Sequence, residues 1–212
     1  MNLAICIPTM GPFDAGTAVD LATLCLTVGV NARTLNLTGA SLHQTHQTYL
    51  PVARELLAYQ AATDAAATHI LWLDSDMRFP ANALERLLAH DVDIVGANYP
   101  RRGPPGGSSA LALDGSVLVP KATGLEAVKI VGLGLCLMRT SILPKLSRPW
   151  FLTVFENGRF LGEDYFFFRA VREANISVYV DHALSMEVEH VWAETNRLYL
   201  QPIPENPIDA IS

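Results

Sequence analysis

His69-Ile70-Leu71-Trp72-Leu73-Asp74-Ser75-Asp76 governs how the rest of the chain is read. A short apolar run that stops at polar residues suits a strand buried on both faces of a parallel sheet. This one delivers two carboxylates, two residues apart, at its carboxyl end, where ligands bind in open α/β sheets. Working back from it, Leu3-Ala4-Ile5-Cys6-Ile7 is a similar run ended by Pro8-Thr9-Met10-Gly11-Pro12. Residues 17–28 carry an apolar stripe at helical spacing. Residues 32–37 read as a second strand and residues 41–48 as a polar connection. Pro51 suits the first turn of a helix reaching about residue 67.

Forward of it, Pro80 opens a helix over 81–90, and residues 92–97 form a strand ending at Asn98-Tyr99-Pro100. Residues 101–109 have the Gly/Pro composition of a loop, and residues 111–119 alternate around an Asp114-Gly115 turn. Residues 128–138 read as one apolar strand, in which Gly132 and Gly134 mark a bulge or a close approach of backbone or ligand. A helix over 163–174 and a strand over 177–180 follow. Strands alternating with helices predict an α/β domain with a mostly parallel central sheet between helices. We place that domain at 1–196 and a Pro-rich tail at 197–212.

Composition limits the function classes. The chain has 212 residues, 50% hydrophobic and 17% charged, against about 25% charged in an average soluble domain, which excludes intrinsic disorder. Mean hydropathy is +0.24, but no stretch approaches the roughly 20 apolar residues of a membrane span. The start, MNLAICIPTM, has no basic n-region of a secretory signal. The net charge of −6 and a single adjacent basic pair, Arg101-Arg102, give no broad nucleic-acid footprint. Cys6, Cys25 and Cys136 lie far apart among apolar residues and read as reduced core thiols, in keeping with a cytoplasmic protein.

Three segments carry chemistry. Asp74 and Asp76 repel each other unless a cation joins them, and hard oxygen ligands select Mg²⁺ or Mn²⁺. The alternative makes Asp74 a turn cap and Asp76 a solvated loop acid. Glu163 and Asp164 follow Gly162 and open a helix, where acids stabilise the helix dipole or serve as a general base. His190, in Glu187-Val188-Glu189-His190, is structural or a further metal ligand. Trp72 and Phe166-Phe167-Phe168 read as core, with one phenylalanine outward. His43 and His46 read as part of a polar loop. Tyr99 with Arg101 and Arg102 reads as a lid over phosphates or as a surface loop.

The order of these features resembles the GT-A-type glycosyltransferases, family-2-like members above all. It runs from Pro8-Thr9 through Arg54 and Leu73-Asp74-Ser75-Asp76 to Gly162-Glu163-Asp164 and His190, over residues 2–192. The stretches 74–80 and 94–102 are similar to small soluble members from bacterial and phage genomes. The resemblance implies a single GT-A-type (Rossmann-like) domain that uses Mn²⁺ or Mg²⁺ and a nucleotide-sugar donor, a UDP-sugar favoured over a GDP-sugar. It implies that Pro8, Thr9 and Met10 line the nucleotide pocket with Ser75. Arg54 would approach the base or diphosphate, with Arg101 and Arg102 over the phosphates. Asp74, Asp76 and His190 would form the metal site, Asp74 also near the ribose. Asp164 matches the base of inverting members, with Glu163 its neighbour. No Gln-x-x-Arg-Trp acceptor signature is present, so the acceptor is unspecified. A catalytically silent nucleotide-sugar-binding domain and another Mg/Mn-dependent phosphate-handling enzyme are the competing readings.

Overall fold

The computed structural model describes residues 1–191, apart from Met10, Pro12, 64–65 and 102–106. In chain order the elements are β1 (Asn2–Thr9), α1 (Ala15–Val30), β2 (Gly39–His46), α2 (Leu50–Thr63), β3 (His69–Leu73), β4 (Met77–Arg78) and α3 (Ala83–Ala89). Then come β5 (Ile94–Gly96), β6 (Leu111–Ala112), β7 (Leu125–Ile130), β8 (Leu135–Arg139) and a 3₁₀ helix over Thr140–Lys145. The described chain closes with β9 (Val154–Glu156), β10 (Arg159–Leu161), α4 (Glu163–Glu173), β11 (Val178–Asp181), α5 (His182–Ser185) and β12 (Glu189–His190).

The eight-stranded sheet has the order β2-β1-β3-β8-β5-β11-β7-β6. β1, β2 and β3 are parallel, as are β5 and β11; β8 runs antiparallel between β3 and β5, and β7 antiparallel to β11 and β6. The sheet is therefore mostly parallel in strand direction, with two reversed strands. Both faces of β1 and β3 are covered. Leu3, Ile5, Ile7, Leu71 and Leu73 pack with α1 and α3, while Ala4, Cys6, Ile70 and Trp72 pack with α2 and α4. This two-sided burial is what the continuous apolar runs record, since neither face of these strands meets water.

Three expectations are corrected. The second strand is Gly39–His46, not 32–37. Residues 32–36 turn, with Asn36 at φ 54, and β2 is an edge strand with strictly alternating burial, so its polar residues sit on a half-exposed surface. His43 and His46 thus belong to a strand, where successive side chains alternate faces. The expected strand 128–138 is two strands, β7 and β8, separated in the sheet by β5 and β11. Cys6 and Cys136 are buried, their thiols pushed up to about 12 by burial, whereas Cys25 is exposed.

Two devices fix the sheet's carboxyl edge. Asp14 caps α1 by accepting from the Thr17 N–H at 2.8 Å, and its own N–H donates to the Ser75 carbonyl at 3.0 Å. That ties the start of α1 to the loop after β3. α4 buries Phe167, Phe168 and Val171, each worth about 1.5–3 kcal/mol, which anchors its first turn over the same edge. Phe166 is the outward phenylalanine, with the Arg169 guanidinium 5.3 Å from its ring.

Candidate active site

The sequence-predicted motifs meet at one buried arginine. Arg54, on α2, is 2% exposed. Its Nη2 donates to Asp74 Oδ1 at 2.9 Å and its Nε to Glu163 Oε1 at 3.2 Å. The guanidinium also lies 5.5 Å from the centroid of Trp72, a core residue of β3, the strand that Asp74 follows. The end of β3 and the first turn of α4, 89 residues apart in number (163 − 74), are therefore one electrostatic unit. Burial works against the Arg54 charge, yet Asp74 and Glu163 hold its pKa above the ordinary value. Burial raises Glu163, against the lowering by Arg54 and with a further push from Asp164. Arg54 Nη1 is buried and has no hydrogen-bond partner among the described residues.

A second pair lies beside the first. Asp76 and His190 are both buried, with Oδ2 and Nε2 3.2 Å apart. The antiparallel pairing of β4 with β12 and the Val191 N–H donated to Asp76 O at 2.9 Å hold the two segments together. His190 Nδ1 is 2.8 Å from the Pro100 carbonyl. A carbonyl only accepts, so Nδ1–H donates to it; Nε2 faces a carboxylate, which also only accepts, so that side is joined by a second proton or by a cation between the two. That orientation is how a metal-ligating histidine is commonly set, and an imidazole with a carboxylate oxygen suits a divalent first-row cation. Among the described residues no group of three or more His, Cys, Asp or Glu converges as a metal site. Asp74 engages Arg54 instead of joining Asp76 and His190.

The remaining candidates are distributed around this edge. Pro8 and Thr9 end β1; Thr9 Oγ1 donates to the Thr45 carbonyl at 3.1 Å and lies 3.2 Å from His46 Nδ1. Ser75 contributes its carbonyl to the α1 cap. Asp164 Oδ1 accepts from the Tyr165 N–H at 2.6 Å, so the two neighbouring acids differ: Glu163 is tied to Arg54 and Asp164 is not. Arg101 is exposed, its N–H donated to the Gly107 carbonyl at 2.8 Å. Met10, Arg102 and the tail 197–212 lie outside the described residues.

Tyr99 is a correction. It is buried rather than part of a surface lid, its hydroxyl accepting the Gly134 N–H at 2.7 Å and its ring 5.7 Å from that of His190. A Cβ at Gly132 or Gly134 would come within 2.3 or 2.6 Å of that hydroxyl. The Gly-x-Gly spacing was the sequence signal for this close approach. Glu187 pairs with Arg86 at 2.7 Å on the surface, away from the buried acids.

Directly before Glu163, β9 and β10 form a hairpin turned by Asn157 and Gly158, both at positive φ. Glu156 holds it to Arg169 of α4, with both oxygens 2.8 Å from Nη1. Phe155 and Phe160 are cross-strand partners on this hairpin, 62% and 77% exposed, with centroids 4.9 Å apart.

No family model matches the chain, and no curated protein is similar to it in sequence. Solved structures share the fold. A197 from STIV superposes with a TM-score of 0.59 at 17% identity, covering 95% of this chain and 99% of its own. GalNAc-T7 crystallised with UDP, GalNAc and Mn²⁺ gives a TM-score of 0.58 at 11% identity; 96% of this chain is covered, but the match spans 45% of the GalNAc-T7 chain. The chain has the GT-A-type fold of glycosyltransferases.

Proposed function

We propose, on this fold and on the Arg54 junction, that the chain is a glycosyltransferase that moves a sugar from a nucleotide-sugar donor to an acceptor hydroxyl with Mn²⁺ or Mg²⁺. The observation that carries the reading is the convergence of Asp74 and Glu163 on Arg54, with Asp76 and His190 paired on the same edge. A parallel-sheet edge holding two acids on one buried guanidinium, beside an acid–histidine pair, suits a ligand with a diphosphate and a reacting carbon.

In this reading Asp76 and His190 hold the cation. The bound cation supplies positive charge that stabilises the departing nucleoside diphosphate. Pro8, Thr9, Met10 and Ser75 wall the nucleotide, and Arg101 and Arg102 approach the phosphates. Arg54 fixes Asp74 against the donor and sets Glu163, so that Asp164 is the carboxylate left to meet the acceptor. Asp164 takes the acceptor hydroxyl proton as that oxygen bonds to the anomeric carbon. The bond from the anomeric carbon to the diphosphate oxygen breaks, and its electron pair leaves on that oxygen. A UDP-sugar is the favoured donor, supported by the UDP and Mn²⁺ bound to GalNAc-T7 on the same fold; a GDP-sugar is second.

A thermal-shift screen of UDP-, GDP- and TDP-sugars with and without Mn²⁺ tests the reading, because bound ligand raises stability by mass action. One donor should stabilise the protein only with metal, and the same mixture should slowly release nucleoside diphosphate. No donor binding in the presence of metal overturns the reading. Donor binding without release or transfer across acceptor sugars leaves a binding domain in its place.

A further inference from the structure

The opposite end of β3 borders a second built site. A cavity of about 620 Å³ opens between the end of α2, the start of β3 and the 3₁₀ helix after β8. That volume is within the range of small-molecule sites, about 300–1,000 Å³. Its described lining contains Arg139, Arg148, Tyr59, Trp150, Ser141 and Leu143, and no described lining residue is acidic.

The arginine is set in advance. Arg148 lies with its guanidinium carbon 4.7 Å from the Tyr59 ring centroid and 5.0 Å from that of Trp150. Glu55, which does not line the cavity, takes its Nε–H at 2.8 Å and also accepts the Trp150 N–H at 2.8 Å. Among the described residues the two Nη groups make no hydrogen bond. A planar guanidinium pinned between two rings with its Nη donors unused is a preformed fork for an oxyanion. Arg139 also lines the cavity, its charge shared with Asp91 and Asp93 outside the lining.

The other walls want a ring. Tyr59 is 43% exposed, a face on which a planar base stacks. Trp150 is 7% exposed, and its buried indole N–H has no acceptor among the described residues. Such a donor normally finds a partner. Oxyanion fork and stacking face together match a ligand with a phosphate and a flat ring. We propose that this cavity is a second site, separate from the Arg54 edge, that binds a nucleoside monophosphate. It stands independently of the transferase reading.

The test uses the full chain in EDTA, with the Trp150 indole N–H followed in ¹H–¹⁵N spectra and assigned by its loss in Trp150→Phe. AMP, UMP, GMP and CMP cover the class; adenosine, uridine and inorganic phosphate are the separated halves. At least one nucleotide should move the Trp150 signal saturably, at least tenfold more tightly than its nucleoside or phosphate. Arg148→Gln and Tyr59→Ala, checked for folding by their melting curves, should each weaken it at least tenfold, whereas Asp76→Ala should leave it intact. No saturable shift with any of the four nucleotides overturns the site. Inorganic phosphate binding as tightly overturns the ring contribution, and loss of binding in Asp76→Ala assigns the nucleotide to the other end of the sheet.

Discussion

β3 is only five residues long, yet its two ends are built on opposite principles. At the carboxyl end, acids from two segments, Asp74 and Asp76 after β3 and Glu163 on α4, engage one buried arginine and one buried histidine. At the amino end a roomy cavity is lined by arginines, their acidic partners Glu55, Asp91 and Asp93 standing behind the wall. We assign the reaction to the end where charges converge, because transition-state stabilisation depends on preorganised groups rather than on volume.

The largest effect that would break this assignment concerns Asp76. Asp76→Ala removes the carboxylate facing His190, and Mn²⁺-dependent donor stabilisation in thermal shift should vanish, a weakening of at least 100-fold. The matching change at the other end, Arg148→Gln, should leave that donor response as it is. If the two variants exchange these outcomes, the ends have been assigned the wrong way round. Asp164→Asn comes next. It should keep the donor shift and lower transfer by about 10²–10⁴-fold, the usual contribution of a positioned general base. Full turnover in Asp164→Asn on a proven acceptor would remove it as base.

Arg54→Met sharpens the comparison through stability. It leaves Asp74 and Glu163 without their shared partner in a largely buried setting, so unfolding free energy in urea should fall by about 3 kcal/mol. Adding Glu163→Gln should recover part of that loss, since one stranded charge is gone. Gly134→Ala is smaller: its methyl meets the Tyr99 hydroxyl at 2.6 Å, and such overpacking costs about 1–3 kcal/mol. Because Asp74 donates its N–H to the Gly134 carbonyl at 3.0 Å, donor binding should weaken with it.

How much of this was legible follows from what each part depends on. β1 and β3 were readable because strands buried on both faces leave unbroken apolar runs, and their terminal polar residues stand out. β2 was not, because an edge strand takes Ser41, His43 and Gln44 as readily as apolar residues. Leu35 and Leu37 before it belong instead to a turn segment and pack against the core from there. Asp74, Glu163, Asp76 and His190 were found as separate motifs, but the joining of Asp74 and Glu163 by Arg54, and of Asp76 with His190, is a property of packing between α2, β3, α4 and β12. Tyr99 was misjudged because a tyrosine beside arginines and a Gly/Pro stretch looks like surface, whereas its partners Gly132 and Gly134 lie more than thirty residues on. The amino-end cavity had no sequence signal, since its described walls come from two distant stretches, 59–69 and 139–150, and no motif joins them.

The smallest expected effect is a pH dependence that separates the two ends of one strand. Glu163 at the carboxyl end titrates above its ordinary 4.5, burial being the main cause. His69 at the amino end titrates below its ordinary 6.5, through burial and then Arg139. Stability follows the difference in protons bound by the unfolded and native states. Between 4.5 and the raised Glu163 value the native state holds the extra proton, so stability falls as pH rises through that window. Just below 6.5 the unfolded state holds the extra proton at His69, so stability there rises with pH. Glu163→Gln should therefore flatten the falling limb of a urea-midpoint profile between pH 4 and 7, and His69→Gln the rising limb. A profile that neither variant changes would mean that the buried charges at both ends are solvated well enough to titrate normally, and the contrast between the ends would then rest on geometry alone.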